Sequence, residues 1–400
     1  MKLQLAGTAN SCTGLSESRG RSVVRLRRPD EVGEQVDYAL IRSAEDVERA
    51  KSSGWQSIFV VGDECFGPLH CFERTIVVGG KFDYLDSGDI VGIHQSTKRL
   101  RTLYRKKSQH NSFLVTERCN NYCLMCSQPP KDVDDGWILD EIAQALPLVD
   151  PSLKTLTFTG GEPLTDWHGF TDVLKKCRDA LPNTAVQVLT NGRAFANTEI
   201  TNAWSAVKHP NLIAAIPVYS AVDSIHDHVV QAKGAFDETI LGILKLKDRN
   251  ERVEVRVVLH ALTAPRIAET CRWLARNLPF VDHVALMGME NTGFALANEA
   301  VLWIDPVDYR AELAEGVAGL NEAGVSVSIY NLPRCVLEPS VWTFAVQSIS
   351  DWKNGFVEEC ERCSERKACS GLFTSGRPRL SRGIRAIAQS GLSPVLDVAP

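Results

Sequence analysis

The chain has 400 residues, 44% of them hydrophobic, which is enough to bury a large core in two or three domains. Its net charge of -5 comes from interspersed acidic and basic residues, which argues against a basic nucleic-acid-binding face or a polybasic membrane anchor. No apolar run has the length of a signal peptide or a membrane span. We expect a cytoplasmic protein whose partners are small molecules or peptides, with no nucleic acid and no membrane.

Residues 1–108 are predicted to form a separate β-rich N-terminal domain. Short apolar runs such as SIFVVGD and RTIVVGG alternate with glycine turns, and SAEDVERAKSSG has the serine cap and glycine stop of a helix. The basic stretch KRLRTLYRKK is interpreted as a solvated connector. No motif in this domain indicates chemistry, but its β-rich composition suggests that a strand edge docks a peptide or a partner protein.

Residues 109–325 repeat a pattern of apolar strand, loop and amphipathic helix. Strands are predicted in SFLVTE, KTLTFTG, VQVLTN, LIAAIPVYS, VEVRVVLH and HVALMGM. Apolar strands that alternate with helices indicate a parallel sheet, and six units are too few for a closed eight-stranded barrel. The predicted fold class is therefore α/β, a partial (β/α)6 barrel with a β-rich N-terminal domain and a C-terminal extension. Its active site belongs at the carboxyl ends of the strands.

The first strand of this barrel leads into TERCNNYCLMCSQPP, which contains Cys119, Cys123 and Cys126. Cysteines grouped in a chain without a secretory signal favour metal or redox chemistry over disulfides. A cubane 4Fe-4S cluster normally takes four cysteines, so three thiolates would leave one iron open for another ligand. The spacing alone also permits a zinc site completed by a distant residue, or three thiols in a loop.

The second strand ends in TLTFTGGEPLTD, one strand-helix unit after the cysteine loop and facing the same cavity. Gly160 and Gly161 permit close approach of the backbone to a ligand, and Pro163 begins a helix. Glu162 offers a carboxylate to a cationic group. A ligand with an amine and a carboxylate would chelate the open iron while Glu162 accepts hydrogen bonds from its amine.

Together, CNNYCLMC and FTGGEP resemble the motifs of the radical S-adenosylmethionine (SAM) superfamily. The resemblance implies that the three cysteines of the loop bind a 4Fe-4S cluster whose open iron binds the amino and carboxylate groups of SAM. It also implies that reduction of the cluster cleaves SAM to methionine and a 5'-deoxyadenosyl radical, which abstracts hydrogen from the substrate. No catalytic side chain beyond these cofactor ligands follows from the motifs.

The same resemblance places further SAM contacts at other strand ends. Asn191 ends the third strand, Ser220 ends the fourth and would meet the ribose, and Arg256 of the fifth would pair with the SAM carboxylate. Alternatively, Asn191 is a turn residue, Ser220 a helix cap and Arg256 part of an ion pair inside the barrel. Met125 stands where many relatives carry an aromatic residue, which leaves any adenine contact to its backbone atoms.

Residues 326–376, entered from the further strand VSVSIYN, are predicted to form a cysteine-rich C-terminal extension. Its cysteines are Cys335, Cys360, Cys363 and Cys369. Four thiolates complete a site for structural zinc or for a 4Fe-4S cluster. The resemblance favours the second, an auxiliary 4Fe-4S cluster that transfers electrons or shapes the substrate pocket. Residues 377–400 are predicted to be a flexible tail.

Four stretches of the sequence resemble, more specifically, one of the two radical SAM maturases of His-Xaa-Ser repeat peptide systems, the HxsC type. They are LVTERCNNYCLMCSQPPKD, LMGMENTGFA, SIYNLPRCVL and SISDWKN. The implied partners are a ribosomal precursor peptide with His-Xaa-Ser repeats, a sister radical SAM maturase and an electron donor. The alternatives are a radical SAM enzyme of cofactor or deazapurine synthesis, and a non-catalytic zinc or iron-sulfur protein.

Three other groups carry side chains of the kinds found in active sites. The trio HDH at residues 226–228 is interpreted as a capping and turn element. The stretch ECFGPLHCFE at residues 64–73 is interpreted as containing packed thiols rather than a metal site. Glu290 and Asn291, after the sixth strand, are expected to line the adenine or substrate pocket.

Overall fold

The computed structural model describes residues 5–15, 20–62, 66, 69–347, 354–373 and 379–388. Within the predicted motifs, Cys65 and all of SISDWKN except Asn354 lie outside these ranges. Residues 377–378 and 389–400 of the predicted tail also lie outside them. Cys71, the second cysteine of the stretch at residues 64–73, is exposed rather than packed.

The N-terminal domain is built from short strands and one helix. Its elements are β1 (Ala6–Thr8), β2 (Ser11–Thr13), β3 (Arg21–Arg27), β4 (Asp37–Ile41), α1 (Ala44–Ser52), β5 (Ser57–Val61), β6 (Arg74–Val78), β7 (Ile90–His94) and β8 (Arg99–Tyr104). The helix α1 starts where the sequence predicts, because the Ser43 hydroxyl accepts the N–H of Asp46 at 3.2 Å. The chain then turns at Gly54, whose φ is +75°.

The strands described in this domain form one sheet in the order β1-β8-β7-β3-β4-β5-β6-β2. Its two end strands, β1 and β2, are separated along the chain only by Ala9 and Asn10. The Ala9 N–H donates to Lys98 O at 2.9 Å and the Asn10 N–H to Val77 O at 2.8 Å, so the ends of the sheet meet. In the described residues, the sheet thus ends in two three-residue strands, and docking of a peptide or partner at a strand edge stays a prediction.

The stretch KRLRTLYRKK is not a solvated connector. It contains β8, and both Leu103 and Tyr104 are buried in a core shared with the barrel. Leu100 is buried in the separate core of the N-terminal sheet. The prediction was wrong because it weighed the basic residues alone, whereas apolar residues between them let the strand bury side chains in two cores.

The barrel alternates strands with helices. Its elements are β9 (Asn111–Leu114), α2 (Trp137–Ala145), β10 (Thr155–Thr159), α3 (Trp167–Ala180), β11 (Ala185–Leu189), α4 (Thr198–Ser205), β12 (Leu212–Pro217), α5 (Asp223–Val230), α6 (Ala235–Asp248), β13 (Arg252–Leu259), α7 (Ile267–Asn277), β14 (His283–Gly288), α8 (Phe294–Ala297), α9 (Glu299–Leu302), α10 (Arg310–Glu322) and β15 (Val327–Tyr330). Among the described helices, none has the length and apolar character needed to cross a bilayer.

The barrel strands form a parallel sheet whose spatial order, β9 to β15, is also their order in the chain. This arrangement confirms the predicted α/β partial barrel. The six predicted strands are all present, and the strand in VSVSIYN joins the sheet beside β14. Parallel strands place all their carboxyl ends at one edge, so the loops after β9, β10 and β11 meet there.

The N-terminal domain is fixed to the barrel through α2. Glu141 of this helix is 1% exposed and forms ion pairs with Arg21 and Arg101 of the N-terminal sheet. Both guanidinium groups also lie over the Trp137 ring, at 3.2 and 4.7 Å from its centroid. A buried carboxylate needs such partners, so this contact ties the two domains together at one defined point.

The C-terminal extension adds β16 (Asn354–Gly355) and β17 (Leu372–Phe373), which pair antiparallel. Residues 379–388, which we name the C-terminal strap, lie against the barrel. The buried Asp305 accepts hydrogen bonds from the Ser381 hydroxyl and the Arg382 N–H, and Ile384 packs on the barrel core. This part of the predicted flexible tail is therefore held in place, because the buried Asp305 carboxylate accepts hydrogen bonds from Ser381 and Arg382.

Candidate functional site

The three-cysteine loop follows β9 at the carboxyl edge of the barrel. Burial raises the pKa of the Cys119 thiol to about 11 and that of Cys123 to about 12, and neighbouring thiols of the loop add to both shifts. Burial also raises the pKa of Cys126. The three thiols thus share one neighbourhood. Without a metal they are neutral at physiological pH, and a bound metal ion deprotonates a coordinating thiol.

The three thiols are therefore of the residue type that binds iron-sulfur clusters, and they lie at the carboxyl edge of the barrel. Within the described ranges, no group of three His, Cys, Asp or Glu side chains could hold a metal ion. The assignment of Cys119, Cys123 and Cys126 as cluster ligands rests on their mutual proximity and their place on the barrel rim, and it stays a prediction.

Arg193 holds the cysteine loop from the side of β11. Its guanidinium donates to Asn120 O at 3.1 Å, to Asn121 Oδ1 at 2.6 Å and to the Glu238 carboxylate at 2.6 Å. The Asn121 N–H in turn donates to Cys119 Sγ at 3.4 Å. Arg193 orients backbone that contacts the first cysteine. The sequence does not single it out, since its only signal is its place after the Asn-Gly turn.

Gly160 and Gly161 pack against the backbone of the cysteine loop. A Cβ at Gly161 would lie 1.9 Å from Arg118 O, and one at Gly160 would lie 2.4 Å from Thr116 O. The Gly161 N–H donates to Thr116 O at 2.7 Å, and the Glu162 N–H donates to Arg118 O at 2.8 Å. The predicted close approach is present, but in the structure it is made by the chain's own loop. This contact fixes the end of β10 in position relative to the three-cysteine loop.

Glu162 is buried and joins the ends of β10 and β11. Its Oε1 accepts from the Leu164 N–H at 3.0 Å and the Thr190 hydroxyl at 2.7 Å, and its Oε2 accepts from the Asn191 N–H at 2.6 Å. Burial raises the pKa of this carboxyl, and these hydrogen bonds oppose the rise. A carboxylate oxygen has two lone pairs, so Oε2 retains capacity for the amine that the sequence predicts.

Pro163 begins a short 3-10 turn over Pro163–Asp166, and α3 begins after it. The sequence predicts that a helix starts at Pro163, and the structure inserts this turn before the helix. The Asp166 carboxylate then caps α3 by accepting the N–H of Gly169 at 3.1 Å.

The local roles of Asn191 and Ser220 are visible in the structure. The Asn191 amide donates to Asn120 Oδ1 at 2.6 Å, which links it to the cysteine loop, and its own Oδ1 accepts the Arg193 N–H at 3.0 Å. Ser220 is buried, and its hydroxyl accepts the Val222 N–H at 3.0 Å in the turn before α5. Their contacts with SAM stay predictions.

Arg256 and Met125 also have defined surroundings. The Arg256 guanidinium donates to Glu254 at 2.7 Å and to Gln187 at 3.0 Å inside the barrel. Burial raises the pKa of Glu254, but hydrogen bonds and charges from His283 and Arg256 hold it below its usual value. Met125 is 7% exposed and packs in a small apolar core beside α5. The predicted ion-pair alternative for Arg256 is therefore realised, and its pairing with SAM stays a prediction.

Tyr219 stands beside the three thiols, although the sequence does not select it. It is buried, and both burial and the neighbouring cysteines raise its pKa. His226 Nδ1 accepts the Tyr219 N–H at 3.2 Å, and the His260 ring lies 6.5 Å from the Tyr219 ring. Burial lowers the pKa of both histidines to about 4, so they are neutral at physiological pH.

Of the HDH trio, His226 is buried and His228 is exposed. The Asp227 carboxylate accepts the N–H groups of Gly234 at 2.5 Å and Phe236 at 2.8 Å at the start of α6, which is the capping role that the sequence predicts.

A cavity lies at the carboxyl ends of β13, β14 and β15, and we name it the strand-end cavity. Met289 and Leu302 in its wall also belong to the small core that contains Met125, so it adjoins the three-cysteine loop. Residues that line it include Leu259, Asn291, Trp303, Tyr309, Leu332 and Leu380. It is mostly apolar with a few polar groups, which is the usual character of a ligand pocket.

A second, smaller cavity is lined by all four cysteines of the C-terminal extension. Backbone N–H groups point at their sulfurs: Arg334 and Gly371 each donate to Cys369 Sγ at 3.4 Å. Four thiols around one space, with N–H donors on sulfur, fit a metal cluster bound through thiolates. Pro333, Leu372 and Ile384 line this cavity and the strand-end cavity alike.

Residues 113–274 match the family model described as the radical SAM superfamily. The match covers less than half of the chain, includes both the cysteine loop and the GGEP motif, and supports a radical SAM enzyme while leaving the reaction open. No curated protein matches the chain.

Solved structures resemble the chain weakly. SuiB from Streptococcus suis is 15% identical with a TM-score of 0.42, and the match covers 55% of this chain and 49% of SuiB. The protein anSMEcpe with bound AdoMet is 15% identical with a TM-score of 0.40, covering 55% of this chain and 63% of that one. A radical SAM methyltransferase from Sphaerobacter thermophilus is 14% identical with a TM-score of 0.44, covering 60% and 72%. The chain thus matches less than two thirds of the first two, and no activity carries over from them.

Proposed function

We propose that this chain, whose residues 113–274 match the radical SAM superfamily, is a radical SAM enzyme that modifies a ribosomally made peptide with His-Xaa-Ser repeats. One observation carries the proposal: the strand-end cavity lies between the three-cysteine loop and the four-cysteine cavity. A substrate in this cavity would face a site of radical formation on one side and a second thiol-lined site on the other.

The barrel residues would hold the cofactors in the following way. Cys119, Cys123 and Cys126 bind a 4Fe-4S cluster, and Glu162 Oε2 accepts a hydrogen bond from the SAM amine. When bound, the cluster and SAM supply a 5'-deoxyadenosyl radical that abstracts hydrogen from the substrate. The buried Tyr219 and Met125 exclude water beside the cysteines, which matters because a radical reacts with whatever is nearest.

The four cysteines of the extension would hold an auxiliary 4Fe-4S cluster. Cys369 is buried and the other three are partly buried, so such a cluster is largely shielded from solvent. Because Leu372 lines both cavities, such a cluster would adjoin a substrate bound in the strand-end cavity and could exchange electrons with it or shape the pocket. The proposal includes an electron donor and a sister maturase as partners in the cytoplasm.

The wall of the strand-end cavity has both apolar and polar parts. Its aromatic part includes Trp303, over whose ring the Arg379 guanidinium lies at 3.9 Å from the centroid. Asn291, Asn331 and Ser381 add polar groups, so the wall could contact both the apolar and the polar groups of a peptide.

The test is anaerobic incubation of the reconstituted enzyme with SAM, a reductant and a His-Xaa-Ser precursor, followed by mass spectrometry of the peptide. We expect a mass change in the peptide and release of 5'-deoxyadenosine. A precursor whose repeat histidines are changed to alanine serves as control and should remain unmodified. Release of 5'-deoxyadenosine with no change in any precursor peptide would favour a small-molecule substrate. A protein that binds only zinc would contradict the proposal altogether.

A further inference from the structure

The C-terminal strap crosses both cavities. Leu380 and Ser381 line the strand-end cavity, Arg385 and Ile387 line the four-cysteine cavity, and Ile384 lines both. Ile384 therefore forms part of the partition between the two spaces. A segment in this position affects both the access of water to the cysteines and the shape of the neighbouring pocket.

The strap also donates hydrogen bonds to two of the cysteine sulfurs. The Ile387 N–H donates to Cys363 Sγ at 3.4 Å, and the backbone of Arg385 hydrogen-bonds Cys335 Sγ. Ile387 O accepts the Ser364 N–H at 2.9 Å, so the backbone of the strap lies beside the segment that contains Cys363. These N–H donors come from a part of the chain far from the cysteines that they contact.

The strap is anchored at its other end to the barrel. Asp305, which is 3% exposed, accepts from the Arg382 N–H at 3.0 Å and from the Ser381 hydroxyl. The Arg382 side chain also pairs with Asp308. Gly383 fits closely, because a Cβ there would lie 2.4 Å from Val307. The anchor fixes the position of the N–H groups at residues 385 and 387.

We infer that the C-terminal strap sets the reduction potential of the metal cluster at Cys335, Cys360, Cys363 and Cys369 and shields that cluster from solvent. The inference rests on the proposed auxiliary cluster. One-electron reduction by the external electron donor adds negative charge to the cluster and its thiolates. N–H donors to sulfur stabilise that added charge, so they raise the potential, and cover by Ile384 keeps water from competing. The residues of the strap are thus positioning residues for the second site.

The sharpest test removes the N–H of Ile387, which donates to Cys363 Sγ. In a chain with Cys119, Cys123 and Cys126 changed to alanine, the four-cysteine site is the only cluster. Ile387→Pro there deletes the N–H that reaches Cys363 while keeping the carbonyl that Ser364 uses. The matched control is Ile387→Val, which keeps the N–H. The readouts are iron content and a potentiometric titration followed by electron paramagnetic resonance.

We expect Ile387→Pro to retain iron and to shift the midpoint potential to more negative values, changing the reduced-to-oxidised ratio on the order of fivefold at a fixed potential. Ile387→Val should match the parent. A chain ending at Arg377 lacks both strap donors and Ile384, and its cluster should have a lower potential and lose iron to a chelator faster.

Two results would overturn the inference. Identical potentials and iron-loss rates in the proline variant, the shortened chain and the parent would overturn it while leaving the auxiliary cluster intact. Zinc or no metal at the four-cysteine site of the parent would overturn it together with the auxiliary-cluster part of the proposed function. Failure of Ile387→Pro to bind iron, with normal binding by Ile387→Val, would support a role of the strap in holding the cluster.

Discussion

The two cysteine groups differ in how far along the chain their sulfurs find N–H donors. In the three-cysteine loop, the Asn121 N–H donates to Cys119 Sγ, only two residues earlier in the chain. In the four-cysteine cavity, the Ile387 N–H donates to Cys363 Sγ, 24 residues earlier. All three cysteines of the first group and three of the four in the second are partly buried, and Cys369 is buried. The difference shows that a cysteine group can take its sulfur donors from its own loop or from a distant segment of the chain.

The largest expected effect separates the two groups by function. Cys126→Ala should abolish formation of 5'-deoxyadenosine from SAM, because only three protein ligands are available to that cluster. Cys360→Ala should leave SAM cleavage in place and stop modification of the peptide. Chromatography of the nucleoside and mass spectrometry of the peptide measure both. Loss of SAM cleavage in Cys360→Ala with retention in Cys126→Ala would reverse the assignment.

The next effect is expected at Gly161, which packs against the backbone of the three-cysteine loop. Gly161→Ala places a Cβ against Arg118 O, so the cysteine loop must shift, at a cost of about 1–3 kcal/mol in unfolding free energy. We expect a lower melting temperature and loss of iron from the first site. The matched control is Gly319→Ala in α10, where nothing lies within 4 Å of the added Cβ. That control should be neutral or slightly stabilising. Equal effects of both changes would mean that the glycine contact is unimportant.

A more local effect, on the cysteine loop alone, is expected from the Arg193 side chain that supports it. Arg193→Ala removes the donors to Asn120 and Asn121 and should cost about 1.5–3 kcal/mol of local stability, seen as faster iron loss to a chelator and weaker SAM binding. Arg272→Ala removes an exposed ion pair with Glu315 and serves as the control, with an effect below about 1 kcal/mol. Indistinguishable iron-loss rates for the two variants would show that Arg193 has no part in holding the loop.

The smallest effect is the pH dependence of the contact between Asp305 and the C-terminal strap. Burial raises the pKa of Asp305, but hydrogen bonds from Ser381 and Arg382 outweigh this, so its folded pKa lies below the usual 3.8. Such a carboxylate stabilises the fold above its unfolded pKa, and that stabilisation is lost as pH falls through the folded pKa. Hydrogen exchange of the strap, corrected for intrinsic rates, should therefore be constant above about pH 4 and rise below it.

Asp305→Asn supplies the control for this pH dependence. The variant should show faster exchange of the strap already at pH 7, on the order of fivefold, and a smaller further rise in acid, because the Asp308 carboxylate still pairs with Arg382. A strap that exchanges at the same rate in both proteins at every pH would show that Asp305 does not anchor it.

The sequence predicts the local features of this molecule well. The barrel strands have continuous apolar runs, and each lies where its run occurs, because burial on both faces leaves a strong signal. The serine cap of α1 is equally local. The loop with Cys119, Cys123 and Cys126 and the GGEP motif adjoin because their strands are neighbours in a parallel sheet.

What the sequence does not predict depends on contacts between distant segments. The closure of the N-terminal sheet needs Ala9 and Asn10 to reach Lys98 and Val77, and no periodicity in the chain encodes that pairing. The strap has a composition typical of disorder, and its fixed place comes from distant residues such as the buried Asp305, some 75 residues earlier, and Cys363. Glu162 was expected to face a ligand, and three protein donors already bind it.

The most direct test of SAM cleavage at the three-cysteine loop is the release of 5'-deoxyadenosine by anaerobically reconstituted protein supplied with SAM and a reductant. We expect the parent chain to release 5'-deoxyadenosine. Changing Cys119, Cys123 and Cys126 to alanine should abolish this release. Changing the four cysteines of the second cavity instead should leave it in place. Release that persists without the three-cysteine loop, or no release by the parent, would contradict SAM cleavage at this loop.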